Sequence, residues 1–135
     1  MILQYRAGYK YQTAVRHVER ISIKPETIIS TEFLRLDPEG NLTIAAGYAW
    51  DGPSGPTIDT KSAMRGSLLH DSGYQLLRLG LLPQSTRGEW DALYEKCCIE
   101  DGMSRLRAWA HFKALRAFGG SSASPTSERP ILTAP

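Results

Sequence analysis

The chain has 135 residues, 41% hydrophobic and 22% charged, a composition suited to one globular domain large enough to bury a core without covalent staples. Sixteen Lys and Arg stand against 14 Asp and Glu, and the net charge of +2 is too even to argue for nucleic acid, which is not an expected partner. No apolar run approaches the roughly 20 residues that span a bilayer.

The opening MILQYRAGYKYQ lacks the apolar stretch of a secretory signal. The two cysteines, Cys97 and Cys98, are adjacent and too few for a metal site. Neighbours on a helix rarely bridge each other, so no disulfide framework is expected, which fits a reducing cytoplasm. Their expected role is to fill core space.

Residues 1–48 read as β, with short runs in ERISIKPETIIS and EFLRLDPEGNLTIAAGY separated by turn formers. Asp37-Pro38-Glu39-Gly40-Asn41 predicts a hairpin between FLRL and LTIAA, because proline presets φ and glycine supplies positive φ. Pro25-Glu26 marks another turn. Tyr5, Tyr9 and Tyr11 are expected to edge a small sheet rather than stack on bases.

Residues 49–59, AWDGPSGPTID, hold two glycines and two prolines and read as a shaped loop. A helix is predicted from Lys61 to Gly80, with Met64, Leu68, Leu69, Leu76, Leu77 and Leu79 near helical spacing and Pro83 beyond the glycine stop. A second runs from Ser85 or Thr86 to Glu100, broken by Asp101-Gly102. A third runs from Ser104, a predicted N-cap, to Phe118, before Gly119-Gly120. The whole reads as an α+β single domain over 1–120: a β-rich part at 1–48, the Gly/Pro loop, and a helical part at 60–120 whose first two helices are antiparallel. Residues 121–135 form a Ser/Pro tail not expected to fold alone, left flexible or held by a partner or the domain's own surface.

The stretch SLLHDSGYQLLRLGLL, residues 67–82, sets His70 and Asp71 inside an apolar run. On a helix, His70 and Tyr74 share a face while Asp71 points about a quarter-turn away. A turn at Gly80–Pro83 folds Asp91, 21 positions later, back across His70. A carboxylate on one imidazole nitrogen fixes the tautomer and leaves the other to take a proton from water. Tyr74 can donate to the same carboxylate. Asp71 is either a hard oxygen ligand for a calcium-like ion, joined by carbonyls of the glycine loop, or a salt-bridge partner of Arg65, Arg78 or Arg87. The other reading of His70 and Asp91 is a clamp between two helices without turnover.

HDSGY, after a Gly/Pro loop and before a helix carrying aspartate, resembles the catalytic helices of phospholipase A2, in the disulfide-free form carried by parvovirus capsids. Over residues 48–98 the resemblance implies His70 as the base that activates water, Asp91 as its orienter, Tyr74 in support, and Asp71 as a calcium ligand with loop positions Gly52 and Gly55. Asp51 stands where that family offers carbonyls; it reads as a further metal ligand, an N-cap or turn former, or a partner of Arg65 or Arg87. With no disulfides, the loop must be held by packing through Trp50 and the prolines.

A longer resemblance covers residues 47–119. GYAWDGPSGP, LLHDSGY, RGEWDALYE and the helix ending in Phe118-Gly119 are similar to a small uncharacterised family of phage and prophage proteins. Arg87 fits its Arg-x-x-Ala-Asp helix, with Trp90 in place of the alanine. The resemblance implies a phage accessory or tail-associated particle protein, made in the host cytoplasm and carried in the virion, with other particle proteins as partners and a lipid membrane as a further one. The alternative is an active calcium-dependent lipid-ester hydrolase.

Other chemistries lack their residues. Further upstream histidines for a His-Asp phosphohydrolase, a zinc-peptidase ligand set, a Gly-x-Ser-x-Gly elbow, a phosphate loop and a dinucleotide fingerprint are all missing. His17 and His111 read as isolated surface residues. Arg105, Arg107, Lys113 and Arg116 read as a solvated face of the last helix or, interleaved with Trp109 and Phe112, as a surface for acidic lipid or a partner.

Overall fold

Short β-branched runs between turn formers pair antiparallel, and the longer apolar periods coil into helices that pack on them. The computed structural model describes residues 3–5, 11–50, 61–125 and 132–134, with the backbone alone for 3–5 and 132–134. The strands are β1 (Leu3–Tyr5), β2 (Tyr11–Gln12), β3 (His17–Arg20), β4 (Ile29–Ser30), β5 (Leu34–Leu36), β6 (Asn41–Ile44), β7 (Ala49–Trp50) and β8 (Leu132–Ala134). The helices are α1 (Lys61–Arg78), α2 (Arg87–Glu100) and α3 (Arg105–Phe118). This is the α+β architecture read from the sequence.

Strands β3, β6, β5 and β4 form one sheet in that order, β2 pairs with β7, and β1 pairs with β8. The expected hairpin joins β5 to β6, with Leu36 opposite Leu42 and Leu34 opposite Ile44. Asp37 fixes its turn by accepting hydrogen bonds from the backbone amides of Glu39 and Asn41 at 3.0 and 2.9 Å. Gly40 takes φ +89° there. Side chains alternate across a strand, so Leu34, Leu36, Leu42 and Ile44 all face one way and are buried.

They pack against α1 and α2 in one apolar core with Leu69, Leu76, Leu77, Trp90 and Cys97. Helix α1 is buried on most of its surface. It ends in a Schellman turn: Leu81 N donates to Leu76 O and Gly80 N to Leu77 O, with Gly80 at φ +72°. Helix α2 ends the same way at Gly102, where Met103 N donates to Cys98 O. It begins later than expected, because Gln84–Thr86 form a 3-10 turn ahead of it. Ser104 caps α3, its hydroxyl accepting from Arg107 N at 3.2 Å. Ala108 is the one buried residue of α3, which lies against α2 at the margin of the domain.

The start of the Ser/Pro segment rests on the domain itself. Residues Ser121–Ala123 make a 3-10 turn with Ala123 buried, Gln84 donates to Ala123 O, and Arg78 donates to Ser122 O. Among the described residues, no helix is long and apolar enough to cross a membrane.

Candidate functional site

The turn after α1 sets α2 antiparallel to it, and glycines bring the two helices close. A Cβ at Gly66 would meet Tyr94 O at 3.1 Å and Cys98 Sγ at 3.2 Å, and one at Gly73 would overlap the indole of Trp90. At that separation Asp91, wholly buried on α2, meets His70 on α1, with 2.7 Å between Nε2 and Oδ1. The hydroxyl of Tyr74 donates to the same Oδ1 at 2.6 Å. The rings of His70 and Tyr74 lie 4.0 Å apart, and Tyr94 meets His70 edge-on at 5.7 Å.

The other oxygen is held by cations. Arg116 of α3 donates to Asp91 Oδ2 at 2.9 Å, and Arg87 Nη1 stands 3.7 Å from it. Arg87 also donates to the hydroxyl of Tyr74 at 3.3 Å and to Leu115 O at 3.1 Å. The two arginines exchange helices: α2 lends Arg87 to the end of α3, and α3 lends Arg116 to α2.

This wiring fixes the protonation pattern. Burial raises the pKa of Asp91, but the hydrogen bonds from His70 and Tyr74 outweigh it and hold the carboxyl below its ordinary range. An ionised carboxylate only accepts, so Nε2 of His70 carries the proton and, in the neutral ring, Nδ1 is the basic nitrogen. Nδ1 faces Asp71 Oδ1 at 3.9 Å, too long for a hydrogen bond but within charge contact. Burial disfavours the imidazolium, yet Asp71 and Asp91 more than offset it and raise the pKa of His70. The hydroxyl of Tyr74 is pushed up by burial and by Asp91, so it remains a donor.

Asp71 is partly exposed. Arg65, one expected partner, is taken instead by Glu19, Glu100 and Asp101 at 2.9, 2.8 and 3.0 Å, and Arg87 by the Asp91 network. Trp50 donates to the hydroxyl of Ser67 at 3.0 Å and packs on Tyr11, which pins β7 against α1 one turn before His70. Asp51, Gly52 and Gly55, read as loop ligands, lie outside the described residues. Among the described residues no group of three or more His, Cys, Asp or Glu is placed to hold a metal ion. The carboxylate of Asp71 is a donor of the type that calcium takes.

Arg116 was not legible as part of this site; its sequence reads like the other cations of α3, and only the crossing of α3 over α2 reveals it. His111 is also not isolated. It is half-buried and stacked on Tyr94, whose hydroxyl lies 2.8 Å from Nδ1. Burial and Arg107 lower its pKa and hold the ring in its neutral form. His17 is half-buried and bonded to Glu19 at 2.9 Å. Cys97 and Cys98 are buried, with both thiols pushed up to about 11 by burial, and they pack as neutral groups.

No family model matches the chain, and neither a curated protein nor a solved structure matches it.

Proposed function

We propose that the chain is a phage or prophage accessory protein whose His70–Asp91 pair activates water for hydrolysis of a lipid ester, in the manner of phospholipase A2. The observation that supports this best is the division of labour on the imidazole. Nε2 is committed to Asp91 at 2.7 Å, and Nδ1 is left on the side of Asp71. Water held at Nδ1 would lose its proton to the ring as it attacks the ester carbonyl, and the protonated ring would return that proton to the departing alkoxide as the tetrahedral intermediate collapses to the free acid. Asp91 stays ionised, and its bonds from Tyr74 and Arg116 keep it aimed at Nε2 while the ring becomes charged.

The residues fit a calcium ion in part: Asp71 would supply the hard anionic oxygen, and the further ligands would come from Asp51, Gly52 and Gly55. Bound there, calcium would polarise the ester carbonyl and stabilise the developing oxyanion. The phage assignment and its particle partners rest on the order of motifs from Gly47 to Gly119.

The test is fatty-acid release from phosphatidylglycerol vesicles with calcium present. Wild type turns over, and His70→Gln loses turnover while its circular dichroism and melting stay cooperative. A His70→Gln variant that kept wild-type turnover would refute the mechanism. Calorimetric titration of calcium into wild type and Asp71→Ala examines the ion separately, with binding expected in the first and lost in the second.

A second reading has its own support. Asp91 is wholly buried with both oxygens bonded, as expected of a polar clamp that fixes helix register in a particle protein. On that reading Asp91→Asn disturbs folding and assembly, and no ester is cleaved by any form.

A further inference from the structure

Helix α3 presents a face that the described part of the chain does not cover. Leu106 is 75% exposed and Trp109 52%. With about 100° per residue, Leu106, Trp109, Ala110, Lys113 and Ala117 fall on one outward stripe, opposite the buried Ala108 and the half-buried Leu115. The sequence RLRAWAHFKALRAF contains four Arg or Lys and no acid. Arg105 and Arg107 flank the stripe, and Lys113 lies within it, its ammonium 5.9 Å from the Trp109 ring centroid. None of these three forms an ion pair among the described residues.

We propose that the outer face of α3 is an adsorption surface for an anionic lipid bilayer. The charges choose the occupant. A second copy packed face to face would set Arg105, Arg107 and Lys113 against their own kind. A nucleic acid duplex would meet Leu106 at the outermost position, and an aliphatic side chain offers its phosphates nothing. A bilayer carrying anionic headgroups satisfies both parts: the apolar stripe enters the headgroup boundary, and the long cationic side chains reach back to the phosphates. Trp109 supplies an amphipathic ring of the kind favoured at that depth. The surface is argued from α3 alone and requires no turnover at His70.

The test is co-sedimentation of the full chain with vesicles of phosphatidylcholine alone and of equal parts phosphatidylcholine and phosphatidylglycerol. Trp50 and Trp90 are buried, so a blue shift of tryptophan emission on binding reports Trp109. Binding and a blue shift are expected with the anionic vesicles and neither with the neutral ones. Lys113→Glu should weaken binding about 25-fold, since each cation near such a surface is worth roughly fivefold and the reversal counts twice. Leu106→Glu should abolish the shift. Both positions are exposed, so both variants should melt as wild type does. His70→Gln should bind as wild type does, which separates this surface from the hydrolytic reading. Absence of binding to anionic vesicles, equal binding to neutral ones, or a dimer that Leu106→Glu dissociates would each overturn the proposal.

Discussion

Gly73 and Trp90 share one volume between α1 and α2: a Cβ on Gly73 would fall among the atoms of the indole of Trp90. Trp90 is wholly buried, so its ring has no solvent to swing into. The tryptophan sits beside Asp91 and the glycine between His70 and Tyr74, so this steric fit sets the helix separation at which the 2.7 Å contact of His70 and Asp91 closes.

Gly73→Ala therefore should destabilise the protein despite improving helix propensity. Alanine gains about 1 kcal/mol over glycine within a helix. Overpacking a closed core costs about 1–3 kcal/mol and occasionally more, and here the added carbon meets a rigid ring rather than a flexible chain end. The net loss should be about 2 kcal/mol, read as a lower urea midpoint at unchanged slope. Trimming the ring in a Gly73→Ala, Trp90→Leu double variant should recover part of it, and a fully additive double variant would refute the shared volume.

Much of this site follows from local rules, and the remainder does not. Tyr74 lies four residues after His70, and the Gly80 stop followed by Pro83 folds α2 back, so the meeting of His70, Tyr74 and Asp91 follows from helical period and turn chemistry. The hairpin at Asp37–Asn41 is equally local. Arg116 and Gly119 are different. Nothing in RLRAWAHFKALRAF separates Arg116 from Arg105, because the choice depends on how α3 crosses α2, a packing outcome without a sequence period. Gly119 reads as a helix stop, yet its φ of −79° suits any residue. Its smallness is needed for another reason, since a Cβ there would lie 2.6 Å from the hydroxyl of Tyr74.

That distance gives a second expected outcome. Gly119→Ala should lower stability by about 1–2 kcal/mol through crowding at the end of α3. The same Cβ also lies 2.6 Å from Leu115 O, so Tyr74→Phe should relieve the cost only in part. A double-mutant cycle measured by urea unfolding checks it, and no coupling between the two positions would contradict the contact.

Arg116 tests the link between α3 and the buried carboxylate. Removing one partner of a fully buried pair typically costs about 3–5 kcal/mol. Arg116 is 38% exposed and Arg87 remains 3.7 Å from Asp91, so Arg116→Gln should cost less, about 1–2 kcal/mol. Arg116→Lys restores the charge without the planar fork and should recover part of the loss. Equal stability of wild type and Arg116→Gln would show that Arg87 alone satisfies Oδ2.

The pH dependence of stability and that of turnover should run in opposite directions at His70. Its folded pKa is raised above the ordinary 6.5, so the stability it contributes is fully present below 6.5 and is lost as pH rises through the folded value. Asp91 is lowered from 3.8, so its contribution is present above 3.8 and is lost as pH falls through its folded value. These two groups together favour a window between 3.8 and 6.5. Asp91→Asn should remove the acid limb and only weaken the alkaline one, since Asp71 still faces the ring, whereas His70→Gln should remove the alkaline limb and weaken the acid one, since the carboxylate loses its bond from the imidazole. A base must be neutral to accept a proton, so ester turnover, where present, should rise with pH through the same folded value at which this stability is lost. Urea midpoints against pH for wild type and His70→Gln measure the first curve, and initial rates measure the second. If the two wild-type midpoints were widely separated, the ring that binds Asp91 would not be the base.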